Sequence, residues 1–254
     1  MTLATRTHAQ HVRVATYNVH RSRGLDQRTL PARIGAVVAS LGADLVALQE
    51  VVGPGLTGSA GHVAEIAEAA GMEWVMAPTR RFKRHLYGNV VLSAYPILDH
   101  ARYDLPSQRR EPRCCQRVDV DVAGHVLHFF NVHLGTGLME RRRQAVHLAN
   151  ILDEFEGPGP RIMLGDFNEW TRGPATRVLT ERLDSLDLTT HLRRRRTYPG
   201  FLPMLHLDHI YYRGEADVVS VSLPRTPRTL VASDHLPLVA TLRIQFQPGD
   251  VVAK

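Results

Sequence analysis

From Val12 to Val19 apolar positions alternate with polar ones, the two-residue period of a strand with one buried face. Pro31 then opens a helix in which Ile34, Val37, Val38 and Leu41 form one stripe, and Gly42 ends it. Asp44–Gln49 returns as a short apolar strand, and the glycine-rich stretch Gly53–Gly61 reads as a loop. A second helix carries Val63, Ile66, Ala67 and Ala70 on one face and closes at Gly71. Strands follow at Trp74–Ala77, Asn89–Ser93, Cys115–Val122 and Val126–Val132, the last two joined as a hairpin around Ala123-Gly124-His125. Met139–Phe155 has the clearest helical stripe (Ala145, Leu148, Ala149, Leu152, Phe155), with Arg141, Arg142 and Arg143 expected elsewhere on its surface. Arg161–Leu164, Leu207–Tyr212, Ala216–Ser222 and Leu236–Phe246 complete the strands. Hairpins, crossovers and few helices predict an α+β domain of two sheets packed face to face, with helices outside. Residues 12–247 form the expected single catalytic domain, between a flexible lead over 1–11 and a tail over 248–254.

Composition narrows the classes. The chain has 254 residues, 44% hydrophobic, which suffices for one sizeable core. A formal charge of +6 favours anionic partners without separating nucleic acid from lipid headgroups or small phosphate esters. Nowhere do about 18 apolar residues run together, so no membrane span is expected. The polar opening carries no secretory pattern. Cys114 and Cys115 are adjacent and make neither a disulfide framework nor a zinc spacing. The expected setting is cytoplasmic, with no obligate protein partner.

The chemistry lies where strands end. Apolar runs finish in Asn18-Val19-His20, Gln49-Glu50, Asn131-Val132-His133, Asp166-Phe167-Asn168, Asp208-His209 and Asp234-His235. One polar residue after a strand is ordinarily a turn or cap. Six such endings in one chain point to a shared cleft. In an extended segment, residues two apart face one way, so Asp166 and Asn168 are expected on one side, as are Asn18 and His20.

Gly165-Asp166-Phe167-Asn168 and Ser233-Asp234-His235, with Thr16-Tyr17-Asn18-Val19-His20 far upstream, resemble the endonuclease/exonuclease/phosphatase superfamily, which includes deoxyribonuclease I. Asp166-Phe167-Asn168-Glu169-Trp170, with Thr197-Tyr198-Pro199 ahead of Asp208, is similar to small bacterial members. The resemblance implies a four-layered α/β sandwich and a divalent-metal-dependent phosphoesterase using direct attack by water. It assigns Glu50, Asn18 and Asp234 to Mg²⁺, or to Mn²⁺ in the same oxygen-rich place. Asp166 would orient or deprotonate the water, and Asn168 would donate to a phosphate oxygen. His235, oriented by Asp208, would activate water or support the charged transition state. His133 would contact phosphate or protonate the leaving oxygen, and Asn89 is a minor contributor by position. His20 stands where abasic-site endonucleases carry an acid, and serves metal, phosphate or neither. No carboxylate is evident behind His133.

Other classes fit less well. No HExxH-like pair supports a zinc hydrolase and no nucleophile elbow a serine hydrolase. An inactive module binding anionic ligands is opposed by the complete acidic and histidine set. The substrate stays open among nucleic acid, a phospholipid headgroup and a small phosphorylated molecule. Basic segments at Arg80–Arg84, Arg109–Arg113, Arg141–Arg143 and Arg193–Arg196 border an anionic groove or are simply solvated. The apolar run Pro199–Leu205 touches substrate or packs on the core.

Overall fold

A computed structural model describes residues 8–252 except 57, 108, 172, 187, 193–195, 201 and 203. Its strands are β1 (His8–Asn18), β2 (Leu45–Gly55), β3 (Glu73–Phe82), β4 (His85–Ser93), β5 (Ile97–Leu105), β6 (Arg113–Val122), β7 (His125–His133), β8 (Arg161–Asp166), β9 (Asp184–Ser185), β10 (Asp208–Arg213), β11 (Ala216–Ser222) and β12 (Leu238–Phe246). The helices are α1 (Pro31–Leu41), α2 (Gly61–Ala70), α3 (Leu138–Glu154), α4 (Pro174–Leu179), α5 (Leu188–His191) and α6 (Pro227–Ala232). Two six-stranded sheets run in the orders β11-β12-β1-β2-β4-β3 and β5-β6-β7-β8-β10-β9. Each has one parallel pair, β1 with β2 and β7 with β8, among otherwise antiparallel neighbours. This is the expected α+β sandwich. No described helix is long and apolar enough to cross a membrane.

Strand alternation builds the layers. Val12 and Val14 of β1, Leu45 and Ala47 of β2, Leu127 and Phe129 of β7, and Ile162 and Leu164 of β8 fill the space between the sheets. The alternate residues of the first sheet pack under α1 and α2 with Ile34, Val37, Val38 and Ile66. Those of the second, Phe130 and Val132 among them, pack under α3 and α4. Each core is thus the face of a strand set by its period of two.

Toward one end of the sandwich the inter-sheet face turns polar. Gln49 Nε2 donates to Asn131 Oδ1 at 2.9 Å and to Thr16 Oγ1 at 3.1 Å. Asn131 Nδ2 donates to the carbonyls of Leu48 (3.0 Å) and Val90 (2.9 Å). Asn89 Nδ2 donates back across the gap to the Cys114 and Asn131 carbonyls, both at 3.3 Å. These bonds stitch the sheets together.

Several expectations change. β1 starts at His8, so residues 8–11 pair with β12 and are no flexible lead, while 1–7 lie outside the described residues. Gly53–Gly61 is not all loop, because β2 continues to Gly55. In the tail, Val251 bridges to His125 and Asp250 is buried. The sequence does not predict β5 because Leu98, Asp99, His100, Arg102 and Asp104 of this edge strand are exposed and only Leu105 of its alternating inward positions is buried. Arg141 is buried, donating to the Gly135 and Thr136 carbonyls, rather than sitting on the surface of α3. Cys114 and Cys115 are free, and burial pushes the Cys114 thiol up to about 12.

Asn131→Ala should lower stability by about 3 kcal/mol, since it strips two buried carbonyls and the Gln49 amide of a partner. Urea unfolding checks this: a shift in midpoint with an unchanged slope is expected.

Candidate active site

β1, β7 and β8 end at the polar end of the sandwich, β2 passes through it at Glu50, and β10 begins there, with Asp208 opposite Asp166 and Asp166 beside His133 in the sheet register. Asp166 is the centre. Its Oδ2 accepts from Asn18 Nδ2 at 3.0 Å and faces His133 Nε2 at 3.6 Å and His235 Nε2 at 3.7 Å. Gly165 precedes it with φ +152°, at a point where a Cβ would strike the Val132 carbonyl, so only glycine brings β8 this close to β7.

Glu50 reaches the same centre through a bulge. Leu48 pairs with Val90 and Val51 with Gly88, so Gln49 and Glu50 together oppose Asn89. Simple alternation would turn Glu50 away from the inter-sheet face. The extra residue, with φ +60° at Glu50, lets Asn18 Nδ2 reach its Oε1 at 3.2 Å. Such backbone costs about 1–3 kcal/mol and collects at functional sites.

His235 is held on both sides. Its Nδ1 lies 3.1 Å from Asp208 Oδ2, and Asp208 is fully buried with Oδ1 unpaired among the described residues. Burial opposes charge on His235, but the carboxylates of Asp208 and Asp166 outweigh it and raise the imidazole to about 10. Burial likewise lifts Asp166, against the pull of His235, to about 6. Tyr198 packs against the His235 ring at 4.9 Å between centroids.

His133 has a different environment. A guanidinium nitrogen of Arg113 lies 3.1 Å from its Nδ1. Arginine can only donate, so Nδ1 accepts and the proton sits on Nε2, toward Asp166. Burial first, then Arg113 and His235, hold its pKa well below the usual histidine value. The position behind His133 is thus occupied by a cation, which makes His133 a neutral donor.

The extended-strand expectation for paired residues fails at both ends. Asn168 has φ +50°; its backbone N–H donates to Asp166 Oδ1 at 2.9 Å and its Nδ2 to the Leu134 carbonyl at 2.9 Å. His20 has φ +42°, takes Asn18 Oδ1 with its backbone N–H at 3.0 Å, and places Nδ1 3.6 Å from Asp234 Oδ1. Both follow the end of their strand, where tight turns and not alternation set direction. Asn89 lines a narrow recess with Glu50, Tyr87, Arg113 and His133, but its amide nitrogen is engaged between the sheets rather than at Asp166.

Sequence reasoning gave no role to Ser233, Glu169 or Arg113. Ser233 Oγ donates to the Asn18 carbonyl at 2.7 Å and accepts from the His235 N–H at 3.3 Å, tying the last loop to β1. Glu169 accepts from the Ala175 and Thr176 N–H groups at 3.1 and 2.7 Å and anchors the chain after Asn168 on α4. Of the basic segments, Arg80 and Arg113 pair with Glu111 and Arg110 with Glu140. Arg193–Arg195 lie outside the described residues. In the run 199–205, Leu202 and Met204 are exposed, so these two do not pack on the core, and Phe201 and Pro203 lie outside the described residues.

For a cation, the available donors are oxygens. Glu50 and Asp234 are half-buried at the mouth, and Glu50 pairs with no lysine or arginine among the described residues. No three His, Cys, Asp or Glu converge as a closed cage among those residues. Such an open, hard and negative donor set fits an ion that keeps much of its water, as Mg²⁺ does.

A four-layered sandwich with carboxylates, amides and histidines pooled at strand ends is the architecture of deoxyribonuclease I-like hydrolases. The profile of the Endonuclease/Exonuclease/phosphatase family matches residues 15–235, and the chain belongs to that family, whose members are generally hydrolases acting on phosphoesters. The chain is 30% identical to the protein YbhP of Escherichia coli K12 over 247 residues, covering 91% of this chain and 96% of YbhP. An endonuclease/exonuclease/phosphatase from Bacteroides vulgatus superposes with a TM-score of 0.76 at 19% identity, covering 92% of this chain and 99% of that one. The mannosyl-6-phosphatase of Bacteroides thetaiotaomicron superposes with a TM-score of 0.72 at 19% identity, covering 91% and 99%.

Histidine ¹⁵N NMR should find His133 with a bare Nδ1 and a protonated Nε2, and still neutral at acidic pH where an ordinary histidine is charged. Arg113→Met should move its titration midpoint upward; an unmoved midpoint would mean that Arg113 does not set its state.

Proposed function

We propose that this chain is a divalent-metal-dependent phosphoester hydrolase in which water attacks phosphorus directly. The observation that carries this reading is the carboxylate of Asp166, buried and met at once by Asn18, His133 and His235. A buried acid lifted toward neutral pH can still take a proton from water. Family membership supports the reaction class.

Glu50 and Asp234 would hold Mg²⁺ or Mn²⁺, with Asn18 fixing the Glu50 carboxylate by donating to it. The ion would polarise a phosphoryl oxygen and offset its charge. Asp166 orients the water and accepts its proton as the new O–P bond forms and the ester P–O bond breaks. His235, cationic between Asp208 and Asp166, supports the negative charge that develops on the phosphoryl oxygens. Its charge favours this role over that of a base. His133, a neutral Nε2–H donor, faces the same oxygens or the leaving group. Asn168 holds Asp166 through its backbone and has a second amide hydrogen for a phosphate oxygen. A reducing, cytoplasmic setting is part of the proposal, consistent with two free buried thiols.

Release of p-nitrophenol from mono- and bis-(p-nitrophenyl) phosphate, with Mg²⁺ or Mn²⁺ added, tests the reading. Asp166→Ala and His235→Ala should each lower kcat by about 10²-fold or more, the scale of a lost general base or charge-stabilising donor, with the fold retained by circular dichroism. Glu50→Ala should also raise the metal concentration needed for half-maximal rate. No turnover by the wild type with any divalent metal would leave the inactive-module reading standing.

A further inference from the structure

Beside the active-site mouth lies a separate cavity of about 410 Å³. Arg21, Arg23, Lys83, His62, His85 and Phe82 line it, and no Asp or Glu does among the described residues. Arg21, Arg23 and Lys83 have no carboxylate partner among those residues, unlike Arg80, which pairs with Glu111. Arg21 and Lys83 stand 5.5 and 5.7 Å from the centre of the Phe82 ring. His62 Nδ1 is buried with no hydrogen-bond partner among the described residues.

The cavity is physically joined to the site. A guanidinium nitrogen of Arg21 lies 2.7 Å from His20 Nε2, so the His20 proton sits on Nδ1 and faces Asp234. Arg21 belongs to three consecutive residues, His20, Arg21 and Ser22, with φ of 42°, 57° and 59°. This costly left-handed turn points His20 to Asp234 and Arg21 over Phe82. Val52, two residues beyond Glu50, forms part of the wall.

We infer that this cavity is a second anion subsite that takes a phosphate group carried elsewhere on the substrate, so that the preferred substrate is a compact molecule bearing two phosphates. The inference rests on the phosphoester-hydrolase reading and supplies its substrate class. A guanidinium offers forked donors and a lysine a mobile point charge, and unpaired cations beside a histidine suit a phosphate dianion. At about 410 Å³ the cavity falls in the size range of small-molecule sites, room for a phosphate together with the part of the molecule that carries it. The Phe82 face is already flanked by cations and offers no open platform for stacking nucleic-acid bases.

Calorimetry in metal-free buffer with 1,4-butanediol, 1,6-hexanediol and 1,8-octanediol bisphosphates, each against its monophosphate, tests the inference across a range of spans. At least one bisphosphate should bind the wild type about tenfold more tightly than its monophosphate. The double variant Arg23→Ser/Lys83→Asn should lose that gain while keeping monophosphate affinity and p-nitrophenyl ester turnover; Asn tolerates the φ of 55° at position 83. No gain in the wild type, or a gain that survives in the variant, overturns the subsite. If the wild type turns over no ester, the hydrolase reading fails, and the calorimetric comparison still decides whether the cavity binds phosphate.

Discussion

Gln49 and Asn131 meet across the gap between the sheets, and each also grips backbone or side-chain oxygens of the strands around it. The apolar residues below them hold the sheets together without choosing a relative position, because hydrophobic contact has no direction. Amide hydrogen bonds do have direction, and breaking one inside the molecule leaves a desolvated partner behind. The stitch therefore sets how far apart and at what offset the two sheets sit. Asn18 and Glu50 come from one sheet and Asp166, His133 and Asp208 from the other. Bonds of about 3 Å between Asn18 and Asp166 exist only at that offset.

The site is the continuation of the core along the same faces. Val12, Val14, Thr16 and Asn18 follow one another on β1; Leu127, Phe129, Asn131 and His133 do so on β7. Each face runs from apolar, through a small polar or amide group, to a group with chemistry. Packing against rigid strands is what lets Asp166 and His235 stay buried in fixed positions. Departures from regular strand geometry then do the fine aiming, at Glu50, Asn168, His20 and the Gly165 approach.

Much of this was legible in the sequence where periodicity carries it. The stripes Ile34-Val37-Val38-Leu41 and Ala145-Leu148-Ala149-Leu152 are buried as read, and α1 and α2 close at Gly42 and Gly71. The gathering of Asn18, Glu50, Asp166, Asp208, His133 and His235 at one end was visible as a repeated polar ending. What the sequence could not show were interactions between elements far apart in the chain. Asn89 and Asn131 look alike, as polar residues on or after apolar runs, yet both bind backbone inside the sandwich. Arg113 sits in a basic cluster with Arg110, which pairs with Glu140, and nothing local says that Arg113 backs His133. Edge strand β5 turns only a short, half-buried stripe inward, Ala101, Tyr103 and Leu105, among exposed polar positions.

The bulge in β2 has a consequence for how such a chain can change. Glu50 faces the site because one residue interrupts the alternation of its strand. Deleting Glu50 itself would leave Gln49 alone opposite Asn89, let β2 and β4 pair without interruption and keep every layer of the sandwich, but would take the acid out of the site. Fold and reactivity are thus encoded at separate scales, one in dozens of redundant apolar positions and the other in one supernumerary residue of a single strand. A lineage could lose the second without disturbing the first, and a scaffold of this kind can become a silent relative by one deletion.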